Sequence, residues 1–383
     1  MASTSNIEII NDALKNNVNF VNSIIENGTK ISAVIKGNAY GHGTSVVVSA
    51  LEGLGIDHFS VYSSPEAFEA LKSRSNNSTI MIMGFINNED YDWIISNKVE
   101  FYVSNIYALK KAIAVAGELN KKARIHIDVE TGMNRTGLTF SELKKAVALI
   151  KDNKNLLDIV GVTSHFAGAE SIANHMRIKK QFTTFKKRIK LLNDNGIYPK
   201  IRHIASSAAA INYPETKLDM IRTGILIFGY WPSEESLIYY MQKRKLKKNP
   251  LERAIRWKSQ VVAIKDVAPG EFIGYGLSFQ TQYKMKIMIV PVGYCNGYSR
   301  SLSNNGHVIV KEQNAPVIGS VNMNMIICDI TYHQGINIGD EVILIGKQGN
   351  SEISFSSFAK MNNSLNYEIL ARLPENIERI LIY

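Results

Sequence analysis

Lys36 stands where a lysine can do covalent chemistry. It closes the short apolar run Ile31-Ser32-Ala33-Val34-Ile35, and the chain then breaks into Gly37-Asn38-Ala39-Tyr40-Gly41-His42-Gly43. The run reads as a buried strand, because it is brief, apolar and bounded by turn signals. An ordinary lysine at such a strand end points its ammonium into water. One held at the mouth of an α/β structure can have its pKa lowered and form a Schiff base with an aldehyde. Other reactive types follow at later strand ends: Arg135, His165, the pair Ser206-Ser207, and Arg222 with Gly224-Ile225 just beyond it. Singly, each reads as a satisfied polar residue or a solvated rim charge. Together they point to one rim.

The elements that must position these residues alternate. Strand-like runs fall at 31–36, 58–62, 79–84, 100–104, 124–130, 156–164, 201–206 and 219–229, with helix-like stretches at 44–54, 64–72, 106–119, 139–151 and 172–195. Eight such strands predict an N-terminal (β/α)8 TIM-like barrel, whose reactive residues sit at the C-terminal strand ends. A doubly wound open sheet would call for Gly-x-Gly-x-x-Gly after the first strand, a spacing that residues 37–43 lack. Ahead of the barrel, residues 7–26 carry an amphipathic helical pattern. After Gly229 the stretch 231–249 is polar and basic and reads as a linker. The remainder is strand-rich, with runs at 258–265, 286–293, 307–311, 317–321, 325–330 and 341–346 and a closing helix near 355–363. The chain thus reads as α/β, with a barrel domain over 1–240 and a C-terminal mostly-β domain over 241–383.

Composition narrows the functional classes. The chain has 383 residues, too many for one ordinary core, with 45% hydrophobic and 20% charged residues, as expected of a globular protein. No apolar run approaches the roughly 18 residues of a membrane span, so no membrane partner is expected. The first residues lack the basic and apolar regions of a secretory signal, which makes the cytoplasm the expected location. Cys295 and Cys328 are the only cysteines, which excludes a disulfide framework, and no metal site is expected. The net charge of +10 is spread along the chain, with one dense cluster at Lys243-Arg244-Lys245-Leu246-Lys247-Lys248. That cluster reads as a solvated face and not as a nucleic-acid site.

Several stretches, in order, give a sharper reading. They are residues 33–43, Glu130-Thr131-Gly132-Met133-Asn134-Arg135, Ile221-Arg222-Thr223-Gly224-Ile225, Gly274-Tyr275-Gly276, Gly293-Tyr294-Cys295-Asn296-Gly297-Tyr298 and Tyr367-Glu368-Ile369-Leu370-Ala371-Arg372-Leu373. In this ordered set the chain resembles the alanine racemase family of fold-type-III enzymes that use pyridoxal 5′-phosphate (PLP). The resemblance implies a barrel plus a β-domain, a homodimer with shared active sites, and racemisation of alanine to supply D-alanine for peptidoglycan. Lys36 would anchor the cofactor and act as one base, and Tyr275 from the other subunit would act as the opposite base. His165 would link Tyr275 to Arg222. Arg222 would face the pyridine nitrogen and leave it unprotonated, since a guanidinium does not readily give up a proton. His203 would orient Arg222. The phosphate would be held by Ser207, the N–H groups of Gly224 and Ile225, and the hydroxyls of Tyr40 and Tyr367. Arg135, Tyr294 and Met323 would receive the substrate carboxylate.

The chain also departs from the family pattern. Asn322 and Asn324 flank Met323 where the family usually has cysteine and aspartate, and Asn296 stands where aspartate is common. Asp128 occupies the place of a lysine that many members carry as a carbamate, and it is expected to pair directly with Arg135. The alternatives are a racemase for another amino acid such as serine, or a non-catalytic PLP-binding protein. The second normally lacks the β-domain that carries Tyr275.

Overall fold

The computed structural model describes residues 4–354 and 366–383. They divide into two compact units, one of residues 13–37 and 48–252, the other of residues 4–12, 38–47, 253–354 and 366–383.

The first unit is the (β/α)8 barrel. Its strands are β2 (Lys30–Val34), β3 (His58–Val61), β4 (Thr79–Ile82), β5 (Glu100–Val103), β6 (Ala123–Asp128), β7 (Leu157–Thr163), β8 (Ile201–His203) and β9 (Met220–Thr223), numbered after β1 (Asn6–Ile10) of the other unit. Consecutive strands pair in parallel from β2 to β8, and β9 pairs with β2. The seam between β8 and β9 closes through Asp219 N–H on the Arg202 carbonyl (3.2 Å) and Arg222 N–H on the Ala205 carbonyl (3.0 Å). A bidentate Arg202–Asp219 ion pair, 2.7 and 2.8 Å, lies at the same seam. These strands are covered on both faces, which explains their short, β-branched runs. Local signals set the helix starts. Thr139 and Glu142 form a reciprocal capping box, and Asn105 accepts from Ala108 N–H at 2.8 Å.

In the second unit the main sheet runs Gln313–Pro316, His307–Val310, Glu341–Gln348, Ile255–Gln260, β1 and Glu378–Ile382, with Ser351–Ile353 added to Glu341–Gln348. A three-stranded sheet holds Ala263–Val267, Met285–Val290 and Ile326–Asp329. Trp257 and Tyr298 are fully buried in its core, with ring centroids 6.4 Å apart.

Several sequence expectations give way here. The stretch 7–26 is not one helix: residues 6–10 form β1 and the helix is Asn11–Ile24. Ile7 and Ile9 point into the core of a sheet whose other strands lie far along the chain. The run 219–229 is a four-residue strand followed by turns, and part of the 231–249 stretch is a helix, Glu234–Arg244, capped by Ser233. Residues 317–321 form no strand; the hairpin partner is Gln313–Pro316. A helix Tyr91–Ser96 and a last strand Glu378–Ile382 have no counterpart in the sequence reading. The closing helix expected near 355–363 lies outside the described residues.

The turn after Lys36 is unusual. Gly37, Asn38, Ala39 and Tyr40 form one helical turn with φ of +63°, +52°, +53° and +51°, on the left-handed side. For the three non-glycine residues that hand costs roughly 1–2 kcal/mol each. Local hydrogen bonds offset it. The buried His42 ring donates from Nδ1 to the carbonyls of Ala39 (3.0 Å) and Tyr40 (2.9 Å), and Asn38 Oδ1 accepts from Thr44 N–H at 2.8 Å. Arg379 donates to the Gly41 carbonyl at 3.2 and 3.1 Å. Gly41 itself has φ +78°, and a Cβ there would overlap the Leu370 carbonyl. Gly28 also has a positive φ, +95°, but faces open space. Gly41→Ala is therefore expected to cost about 2 kcal/mol or more and Gly28→Ala about 1. Thermal unfolding of the two variants checks the difference, and equal shifts would show that the overlap is relieved without cost.

Candidate active site

The C-terminal mouth of the barrel gathers side chains from several strands. Lys36 follows β2, Asp128 ends β6, and Arg135 lies in the loop after it. Ser164 and His165 follow β7, His203 ends β8, and Arg222 is the third residue of β9. Register explains the grouping: Asp128 is opposite Thr163, Thr163 is opposite His203, and Arg222 is opposite Ser32.

Arg222 is 5% exposed. Its Nη1 donates to His203 Nδ1 at 2.6 Å and to Thr163 Oγ1 at 3.0 Å, and its Nη2 donates to the Ser164 carbonyl at 2.8 Å. His165 Nδ1 stands 3.5 Å from Nη2, a weak contact. Among the described residues, no carboxylate reaches Arg222 within ion-pair distance. Burial, and then the charge of Arg222, hold His203 well below the usual histidine range, so it accepts as a neutral ring. His165 is lowered to about 3 by burial first, then by Arg222, Arg135 and Lys36.

Lys36 Nζ makes no hydrogen bond among the described residues. Although the residue has exposed surface, desolvation lowers its pKa, repulsion from Arg135 and Arg222 lowers it further, and Glu66 opposes them. Arg135 is exposed and likewise has no hydrogen-bond partner among the described residues, so its fork of donors faces outward unused. The expected pairing of Asp128 with Arg135 does not form as an ion pair. Burial pushes Asp128 up to about 6, with a hydrogen bond to Thr136 and the charges of Arg222 and Arg135 opposing. Just past the ends of β8 and β9, Ser207 Oγ lies 3.1 Å from Thr223 Oγ1 and accepts a long 3.3 Å bond from Gly224 N–H. Ile225 N–H has no protein acceptor among the described residues.

The remaining sequence candidates lie in the other unit. Tyr40 ends the left-handed turn. Tyr275 is 75% exposed between Gly274 and Gly276, both with positive φ. Tyr294 and Met323 are brought together by two turns: Tyr294 N–H donates to the Asn322 carbonyl (3.0 Å) and Cys295 N–H to the Met323 carbonyl (3.0 Å). Both side chains are substantially exposed. The unusual asparagines serve these turns, since Asn296 accepts from Gly293 N–H at 3.1 Å and Asn324 donates to Cys295 Sγ at 3.3 Å. Tyr367 belongs to the helix Asn366–Ala371, but its side chain lies outside the described residues. Behind His203 stand His126 and Glu100, buried polar residues that the sequence reading passed over. Their signal was a charged or imidazole group inside otherwise apolar strands.

Two family models cover this chain: "Alanine racemase, N-terminal domain" over residues 9–232 and "Alanine racemase, C-terminal domain" over residues 254–381. Among curated relatives, alanine racemase 1 of Caldanaerobacter subterraneus subsp. tengcongensis is 35% identical over 377 residues, 98% of this chain and 94% of that one. The alanine racemase of Methanococcus maripaludis is 32% identical over 378 residues, 98% of each chain. Among solved structures, the Clostridium difficile alanine racemase has a TM-score of 0.91 at 30% identity, covering 100% of this chain and 96% of that one. The Bartonella henselae enzyme, solved with covalently bound pyridoxal phosphate, has a TM-score of 0.82 at 25% identity, covering both chains fully.

The charges at the mouth make two measurable demands. Removing Arg135 (Arg135→Met) should raise the Lys36 pKa and Glu66→Gln should lower it, so the pH midpoint of competitive Lys36 acetylation should move in opposite directions. Asp128 has a folded pKa above its unfolded value near 3.9. Its contribution is therefore full below about pH 4 and lost as pH rises through about 6. Asp128→Asn should remove that loss, gaining on the order of 3 kcal/mol at pH 7.5 and about 1 kcal/mol at pH 4.5. Urea unfolding at the two pH values reads this, and an equal effect at both would separate Asp128 from the pH dependence.

Proposed function

The chain belongs to the alanine racemase family and is an amino-acid racemase, and we propose that it interconverts L- and D-alanine with pyridoxal 5′-phosphate by a two-base mechanism. The observation that carries this reading is the buried Arg222 guanidinium, held by neutral His203 and aimed at the same barrel mouth as Lys36.

The residues fit the cofactor. A lysine of lowered pKa suits a covalent anchor, a guanidinium that keeps its proton suits an unprotonated pyridine nitrogen, and Ile225 N–H, left without a protein acceptor, suits a phosphate oxygen. Ser207 and Gly224 would complete that cradle, with the hydroxyls of Tyr40 and Tyr367. When bound, PLP supplies the electron sink that makes the α-proton of an amino acid removable.

The protein's own part is proton handling and orientation. Lys36 Nζ takes or returns the α-proton on one face, and desolvation and neighbouring cations shift it towards the neutral amine this needs. The Tyr275 phenol serves the opposite face. A phenol has a reference pKa of about 10 and needs nearby positive charge to act as a base, which the chain from His165 to Arg222 would provide. Arg135 orients the substrate carboxylate with its unused donors, assisted by Tyr294 and the N–H of Met323. Tyr275, Tyr294 and Met323 are exposed on the β-rich unit, which supports their service to a second copy of the chain in a homodimer. The two domains of this reading are residues 1–240 and 241–383, and the gap between the family matches at 232 and 254 supports that division. It operates in the cytoplasm and supplies D-alanine for peptidoglycan.

Three measurements test this. Cyanoborohydride treatment with PLP should add cofactor mass at Lys36, and Lys36→Ala should abolish the adduct. In deuterated water, Tyr275→Phe should slow α-proton exchange from L-alanine by roughly 10²–10⁴-fold, and from D-alanine much less. A symmetric effect would sink the two-base assignment. Mixing inactive Lys36→Ala and Tyr275→Phe chains should restore part of the activity; verified heterodimers that stay inactive would exclude sites shared between subunits.

A further inference from the structure

The hydrogen bonds that begin at Arg222 continue through the barrel interior. His203 Nε2 lies 2.8 Å from His126 Nδ1. His126 Nε2 lies 2.8 Å from Glu100 Oε2, and His58 Nε2 lies 3.2 Å from the same oxygen. His58 Nδ1 meets Ser32 Oγ at 2.8 Å, and Ser32 meets Ser60 at 2.5 Å. The other carboxylate oxygen, Glu100 Oε1, accepts from Arg124 Nη2 at 2.7 Å. Glu100, His126, His58 and His203 are each at most 2% exposed. The packing is made for these rings. Gly161, opposite His126 in the sheet, is a position where any Cβ would overlap the His126 ring. The two imidazoles of His126 and His203 meet edge to face, with centroids 4.9 Å apart.

The ends of this chain have fixed polarity. A guanidinium only donates and a carboxylate only accepts. Arg222 therefore requires a lone pair on His203 Nδ1, which places the His203 proton on Nε2. That proton requires a lone pair on His126 Nδ1, which places the His126 proton on Nε2, where it meets Glu100. Every member is satisfied in one arrangement and in no other with neutral rings. Burial holds His203 and His126 below the usual histidine range, while the hydrogen bonds from His126 and His58 outweigh burial and hold Glu100 below the usual carboxylate range.

We propose that Glu100 is a positioning residue for this enzyme, acting through His126 and His203: as a buried acceptor it sets both tautomers and thereby presents a lone pair, not a proton, to Arg222. The link to turnover rests on the racemase reading above; the tautomer assignment does not.

An amide at position 100 tests it, because Glu100→Gln keeps the shape and removes the fixed polarity. Arg124 demands an acceptor, so the amide oxygen turns to Arg124 and its NH2 turns to the histidines. His126 must then accept on Nε2 and donate from Nδ1, His203 accepts on Nε2, and its Nδ1–H faces the donors of Arg222. Adding Arg124→Met removes the demand for an acceptor and lets the amide oxygen return to the histidines.

Imidazole ¹⁵N–¹H correlation spectra should show His126 and His203 protonated on Nε2 in the native protein and on Nδ1 in Glu100→Gln. The kcat for alanine should fall roughly 10- to 100-fold, the usual cost of losing the partner that orients an imidazole, with a smaller change in KM. The Glu100→Gln/Arg124→Met double variant should recover both tautomers and most of kcat. A native spectrum with His203 protonated on Nδ1 overturns the proposal even if the variant does not fold. So do unchanged tautomers in Glu100→Gln, or a tautomer switch that leaves kcat intact. A switch in a protein that racemises no amino acid supports the hydrogen-bond assignment and removes the racemase reading instead.

Discussion

A guanidinium buried inside a β-barrel must find acceptors for its donors, and Arg222 finds neutral ones. A buried charge without hydrogen-bond partners is costly, and charged donors make the strongest of such bonds. The demand propagates. His203 can accept from Arg222 only if it donates elsewhere, His126 must in turn donate, and the sequence of obligations ends at the carboxylate of Glu100. An ordinary barrel interior is filled by layers of branched aliphatic side chains. Here much of that space belongs to imidazoles, a carboxylate and hydroxyls, and Gly161 is the vacancy that lets one imidazole fit.

The same constraint shapes the electrostatics of the mouth. Burial first, and then the mutual repulsion of Lys36, Arg135 and Arg222, lowers the pKa of Lys36 and keeps His165 neutral. Asp128 is the carboxyl placed among them, yet burial holds its own pKa near 6, so it offsets the cations fully only above that pH. Such a site is short of negative charge. A phosphate and a carboxylate would supply it, which is the anion content of the proposed cofactor and substrate together.

Backbone strain falls on three consecutive residues shortly after Lys36. Lys36 opens a left-handed turn whose three non-glycine residues are held by His42, Asn38, Thr44 and Arg379. A fixed turn immediately after Lys36 restricts where its side chain can point, at a backbone cost that the surrounding hydrogen bonds sustain. In the β-rich unit the asparagines at 296 and 324 take on turn-stabilising bonds. Those two departures from the family pattern are thus accommodated locally, and Tyr294 and Met323 lie on adjoining turns.

The alternation of apolar strands with periodic helices was legible in the sequence, because each barrel strand is short, apolar and bounded by turn residues. That was enough for the barrel and the strand-rich remainder, and it set Lys36, His203 and Arg222 at strand ends or within a strand. Residues 6–10 misled because Ile7 and Ile9 suit a helix face as well as a strand. Only pairing with strands near residues 257 and 380 decides between them. Gly37 and Gly41 hinted at positive φ, but nothing local marked Asn38, Ala39 and Tyr40 for it. The polar interior was the least legible part. The hydrogen bonds that link His58, Glu100, His126 and His203 to one another span 26 to 77 residues of sequence. Local pattern reports whether a residue is buried, whereas strand register and barrel closure decide which buried groups meet. The sequence by itself determined the kinds of element and the chemistry available at their ends. Only the closed barrel decided that Arg222 would be tied to Glu100, because that link depends on long-range pairing that no local stretch encodes.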